Sequence, residues 1–91
     1  MIPMFHNRKK IVINVKLFGG IDTDVGLKDY DPDVGIDLQM PEGIRLRKAV
    51  RKIGLSQTNS MAFFINGKQV GLREKLNDGD VVFCMRPLAG G

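Results

Sequence analysis

A chain of 91 residues has room for one modest domain, and with 43% apolar and 26% charged residues it is neither disordered nor fibrous. No run approaches the roughly 20 apolar residues of a membrane helix, and the N-terminus, Met-Ile-Pro-Met-Phe followed by basic Arg8, Lys9 and Lys10, reverses the order of a secretory signal. The net charge of +4 favours acidic partners without choosing among them, and the single cysteine, Cys84, forms no intrachain disulfide, which suits the cytoplasm.

The first predicted element is a strand, Ile11 to Phe18, in which Ile11, Ile13, Val15 and Leu17 form one wholly apolar parity. Gly19 and Gly20 end it. Residues 21–33, with Asp22, Asp24, Gly26, Asp29, Asp31, Pro32 and Asp33, predict a long solvated loop. Val34 to Met40 alternates again and pairs with the first strand as a hairpin. After the Pro41-Glu42-Gly43 turn, Leu46, Ala49, Val50 and Ile53 make an apolar stripe at helical period, which predicts a helix over 44–53 with Gly54 as its C-terminal cap. Arg45, Arg47, Lys48, Arg51 and Lys52 fall on its other face, most simply a solvated one.

Met61 to Ile65 predicts a buried strand, Asn66-Gly67 a type I′ turn, and Lys68 to Val70 a short return strand. Arg73 to Leu76 suggests a single helical turn. Asn77-Asp78-Gly79-Asp80 then turns the chain into a last strand, Val81 to Met85. One amphipathic helix laid across a mixed sheet of about five strands buries all of this apolar surface. The expected fold class is therefore α+β, of the β-grasp or ubiquitin-like kind. Residues 1–10 are an N-terminal extension, 11–85 the domain, and 86–91 a flexible tail.

That tail, Arg86-Pro87-Leu88-Ala89-Gly90-Gly91, is the informative segment. A carboxylate is a poor electrophile and must be activated, for instance as an acyl-adenylate, before acyl transfer. A C-terminal carboxylate on an arm spanning up to roughly 20 Å reaches into a partner's active site, where a side chain near the domain surface does not. Gly90 and Gly91 thread a narrow channel because they lack a Cβ. Pro87 lowers the entropy lost on ordering the arm, and Leu88 anchors it in an apolar groove. Once activated, the Gly91 carbonyl accepts sulfur and becomes a thiocarboxylate, a good nucleophile. Such a protein is a cosubstrate rather than an enzyme.

The segments Phe64-Ile65-Asn66-Gly67-Lys68, Leu76-Asn77-Asp78-Gly79-Asp80-Val81-Val82 and Pro87-Leu88-Ala89-Gly90-Gly91, with Leu46-Arg47-Lys48-Ala49-Val50 after Pro41-Glu42-Gly43, resemble the ThiS/MoaD family of sulfur carriers over nearly all of residues 11–91. The proline in the tail is more like the small subunit of molybdopterin synthase than the thiamine carrier. The resemblance implies an adenylating partner of the ubiquitin-activating type that consumes ATP, a sulfur donor, and an acceptor that is the large subunit of molybdopterin synthase or the thiazole synthase. Gly91 would be the reacting group, with Gly90, Ala89, Leu88, Pro87 and Arg86 contacting partners. The chain departs from the family in its ten-residue N-terminal extension and in a 19–33 loop that lacks the short helix many members carry.

No bound cofactor is expected. The aspartates of the 21–33 loop lack the ligand spacing of a calcium loop, and His6 has no second ligand in view, so no metal site is assigned. Cys84 reads as a small buried hydrophobe, and Phe63, Phe64 and Phe83 as core or sheet-face residues. Two further functions stay open: a ubiquitin-like modifier joined to lysines through the same Gly91 carbonyl, and a β-grasp binding module for RNA or protein. Nucleic acid is not the expected partner, nor is a membrane.

Overall fold

The structure, a computed structural model, describes residues 9–86. The predicted N-terminal extension and the tail residues Pro87, Leu88, Ala89, Gly90 and Gly91 lie outside the described residues, apart from Lys9 and Lys10. Five strands form one mixed sheet: β1 (Lys10–Leu17), β2 (Ile36–Pro41), β3 (Ala62–Ile65), β4 (Lys68–Val70) and β5 (Val81–Met85), in the order β2-β1-β5-β3-β4. The β1–β5 pair is parallel and the other pairs are antiparallel. Helix α1 (Ile21–Asp24) follows β1, and α2 (Leu46–Ile53) lies between β2 and β3. This is the expected α+β β-grasp architecture.

The strand periodicity sorts the sheet into two faces. Ile11, Ile13, Val15 and Leu17 point inward, as do Met40, Phe63, Ile65, Val82 and Cys84, and all are buried. Helix α2 closes this face with Leu46, Ala49 and Val50, which join the same apolar cluster. Gly54 caps α2 in the left-handed region (φ 101°), its N–H donating to the Arg51 and Val50 carbonyls. The outward positions of α2 are all cationic. Arg47–Arg51 and Lys48–Lys52 are like-charge pairs one turn apart, each of which disfavours the helix by about 0.2–0.5 kcal/mol.

Three expectations need correction. The 19–33 segment does hold a short helix: Gly20 in the left-handed region (φ 83°) opens α1, and fully buried Ile21 pins it to the core. Tyr30 ties the same loop down, its hydroxyl accepting from the Leu17 N–H at 2.5 Å. Burial raises the Tyr30 pKa, opposed by that hydrogen bond. Val34 belongs to no strand and is 65% exposed, because Gly35 (φ 74°) turns the chain before β2 begins at Ile36. Finally, Arg73–Leu76 is not a helical turn. Its backbone runs beside the start of α2, where the Glu74 and Leu72 carbonyls accept from the Leu46 and Arg47 N–H groups at 2.8 and 3.0 Å, and the Leu76 N–H donates to Ile44. Helix N-termini leave such N–H groups without partners, so this segment acts as a cap built from a distant stretch of chain.

Candidate functional site

The site begins where β5 ends. Residues 81–85 pair with β1 on one side and β3 on the other, which aims the chain out of the sheet at Arg86. Three features surround this exit. The Phe18 N–H donates to the Cys84 carbonyl at 2.9 Å and extends the parallel register by one residue. Gly19 (φ 74°) passes so close that a Cβ there would sit 3.2 Å from the Arg86 carbonyl oxygen. The Arg86 guanidinium forms an ion pair with Asp24 of α1. The pair links the first residue of the tail to a loop 62 positions earlier in the chain.

Of the predicted site residues, the structure places only Arg86, which is about one-third exposed in its side chain. Gly91, Gly90, Ala89, Leu88 and Pro87 lie outside the described residues. Sequence reasoning missed Asp24 as a partner of Arg86, since one acid among the many of a loop carries no mark of a long-range pairing. Arg86 and Asp24 also border a cleft of about 240 Å³ formed with Val25, Gly54, Gln57 and Met61.

Beside the exit, the outer face of the sheet is apolar where a solvated face alternates to polar residues. Register places Phe83 against Lys16 on β1 and Phe64 on β3, and Met85 against Ala62. Phe18 and Phe83 stack with ring centroids 5.5 Å apart and planes inclined by 26°. Phe83 and Met85 remain 37% and 40% exposed. Aromatic and methionine side chains are the types enriched at protein–protein contacts.

Cys84, directly beneath this patch, is fully buried and its thiol is pushed up to about 12 by that burial. A neutral thiol with no solvent access is no sulfur nucleophile. Among the described residues no group of His, Cys, Asp or Glu side chains is arranged to hold a metal ion, and no helix is long and apolar enough to cross a membrane. What chemistry the described site offers is presentation: a central strand held on both sides, an apolar face beside it and a chain leaving at its end.

No protein-family model matches the chain, and no curated protein matches it in sequence. Solved structures do match. The chain is similar to a Pyrococcus furiosus protein described as a candidate molybdopterin converting factor, subunit 1, with 23% identity and a TM-score of 0.64, over 86% of this chain and 99% of that one. It is similar to SAMP1 from Haloferax volcanii, with 16% identity and a TM-score of 0.68, over 88% and 99% of the two chains. It is similar also to small archaeal modifier protein 1 from Methanosarcina acetivorans, with 19% identity and a TM-score of 0.55, over 91% and 99%. At these identities the likeness is one of backbone architecture, and it extends through nearly the whole of each chain: this protein shares the β-grasp fold of those proteins.

Proposed function

We propose that this protein is a sulfur carrier of the ThiS/MoaD kind, with the Gly91 carboxylate as its working group. The observation that carries the reading is the exit of β5 at Arg86, beside an exposed apolar sheet face, into a sequence that reads Pro87-Leu88-Ala89-Gly90-Gly91. An activating partner docks on Phe18, Phe83 and Met85, and the tail then reaches its nucleotide site. There the Gly91 carboxylate attacks the α-phosphorus of ATP and pyrophosphate leaves, giving an acyl-adenylate. A sulfide-level sulfur nucleophile attacks the carbonyl carbon and expels AMP, leaving a thiocarboxylate. The carrier brings the reacting atom and its delivery, while ATP, the sulfur donor and catalysis belong to cytoplasmic partners.

Among cofactor pathways, molybdopterin is favoured over thiamine. Pro87 in the tail supports this, as does the likeness to the Pyrococcus furiosus protein. The acceptor would then be the large subunit of molybdopterin synthase. A second reading is favoured by the likeness to small archaeal modifier protein 1: a lysine amine attacks the same activated carbonyl and forms an isopeptide. The two readings share activation and differ only in the acceptor.

Intact-mass measurement of the protein from its native cells tests both. A gain equal to the difference between a sulfur and an oxygen atom, located at Gly91, is the expected result. Covalent attachment of Gly91 to lysines of other proteins would transfer the assignment to the modifier. Finding residues beyond Gly91 in the mature protein, with no trimming, would remove the carrier and the modifier together.

A further inference from the structure

We propose that the outward face of α2 is a second binding surface, one that takes an acidic peptide segment of a partner protein. Charge along the chain is strongly segregated. Residues 19–42 hold seven acids and one cation, Lys28, whereas residues 43–76 hold eight cations and one acid, Glu74. The structure brings four of those cations together: Arg45, Arg47, Lys48 and Arg51 line a groove of about 380 Å³ with Gly43 and Ile44, and no carboxylate lines it. Among the described residues the one ion pair is Arg86–Asp24, so none of these four cations is neutralised by a salt bridge there.

Local energetics at the start of α2 run against this arrangement. Arg47 and Lys48 stand in the first turn of α2, where the helix dipole disfavours cations, and no acid accompanies them. The like-charge pairs one turn apart add to the cost. A single acidic residue at either position would relieve both terms, so the cluster is a local conflict of the kind that functional surfaces retain. Arg45 is also pre-positioned, one guanidinium nitrogen donating to the Arg73 carbonyl at 2.6 Å.

The occupant follows from the shape and chemistry of the groove. Its one wholly apolar side chain is half-buried Ile44, next to Gly43, which leaves open space where a Cβ would be. The guanidinium forks that line it suit carboxylates. Acidic side chains flanking one apolar side chain match this pattern, and the eight residues of α2, about 12 Å of helix, match a short segment. Single-stranded nucleic acid is recognised on stacking platforms, and no aromatic side chain lines the groove. Because α2 covers the inner face of the sheet, the groove lies on the layer opposite Phe83 and Met85. A segment held there leaves the outer sheet face and the tail open to a second protein, and the proposal stands apart from the chemistry at Gly91.

The test is fluorescence anisotropy of a labelled Glu-Asp-Glu-Leu-Glu-Asp-Glu peptide titrated with the full chain, beside a single-stranded DNA oligonucleotide of equal charge. The expected result is saturable peptide binding that weakens by about tenfold or more in R47E/K48E but by less than about twofold in K16E/K28E, which changes net charge equally. Melting followed by circular dichroism should leave R47E/K48E as stable as the parent or more so. If that variant misfolds, R47Q/K48Q replaces it with the same expectation of weakened binding. Equal weakening in both charge-reversed pairs, tighter binding of the oligonucleotide, or no peptide binding by the parent would each overturn the proposal.

Discussion

The first half of β1 and its far end are held to the rest of the molecule in different ways. Val12 and Asn14 are clasped: the Val12 N–H donates to an Asp78 carboxylate oxygen at 2.8 Å, the Gly79 N–H donates to the Val12 carbonyl at 2.8 Å, and the Asn14 N–H donates to the Asp80 carbonyl at 2.9 Å. The Asn14 side-chain amide adds bonds to Val34 and Asp37. At the far end, Phe18 and Gly19 meet Arg86 through one backbone hydrogen bond, a close glycine contact and a surface ion pair. The end remote from the tail is the fixed frame. The end at the tail is open on its surface, as the proposed delivery of the tail to partners would require.

That contrast can be broken first at Gly35. An alanine Cβ there would lie 2.4 Å from the Asn14 amide oxygen and 2.9 Å from the Val15 carbonyl, at a φ of 74°. Backbone strain and overpacking together predict that Gly35→Ala costs about 2–4 kcal/mol in denaturant unfolding. A cost under about 1 kcal/mol would show that the clasped half yields easily.

Cys84 gives the next largest effect, and its sign follows from burial. Its folded pKa of about 12 lies above the ordinary 9.0, so the unfolded chain loses the proton first. The contribution is fully present below pH 9 and lost as pH rises toward 12, with a slope approaching about 1.4 kcal/mol per pH unit. Unfolding between pH 8 and 11 should show this fall, and Cys84→Ala should abolish its share. Asp80→Ala comes third. Asp80 is 7% exposed and its carboxylate accepts from the Asn77 N–H at 2.8 Å, so losing it should cost about 1–2 kcal/mol, with Asp80→Asn restoring part.

How much of this was legible beforehand depends on the range of each interaction. The alternation in residues 11–17 and 81–85, the α2 stripe and the Asn66-Gly67 turn are local patterns, and the sheet and helix followed from them. The left-handed Asn66 and Gly67 (φ 53° and 82°) match the turn that dipeptide predicts. Helix α1 was hidden because a single buried residue, Ile21, sets it and no period is visible in four residues. The 71–76 segment was hidden because its long-range hydrogen bonds go to Ile44 and the start of α2, about 30 positions earlier in the chain. At the candidate site, the tail residues read from composition lie outside the described residues, whereas Phe18, Gly19 and Asp24 gain meaning only from their nearness to Arg86. The apolar outer face was half legible: strand alternation already puts Phe83 and Met85 on one face, but only the register shows that Phe64 shares it.

The smallest effect is expected at the tail root. Asp24 is about half exposed in its side chain and Arg86 about one-third, so solvent screens their attraction, and holding two side chains in one geometry costs entropy. Asp24→Asn should therefore change stability by less than about 1 kcal/mol, and that residue of effect should vanish in high salt, because exposed charges are screened within a few ångströms there. Asp80→Ala is the natural reference, since it removes one carboxylate from the opposite end of β1. If Asp24→Asn costs more than Asp80→Ala and keeps its cost in salt, the exit of β5 is braced as firmly as the clasp, and the tail root is no longer the open end of the molecule.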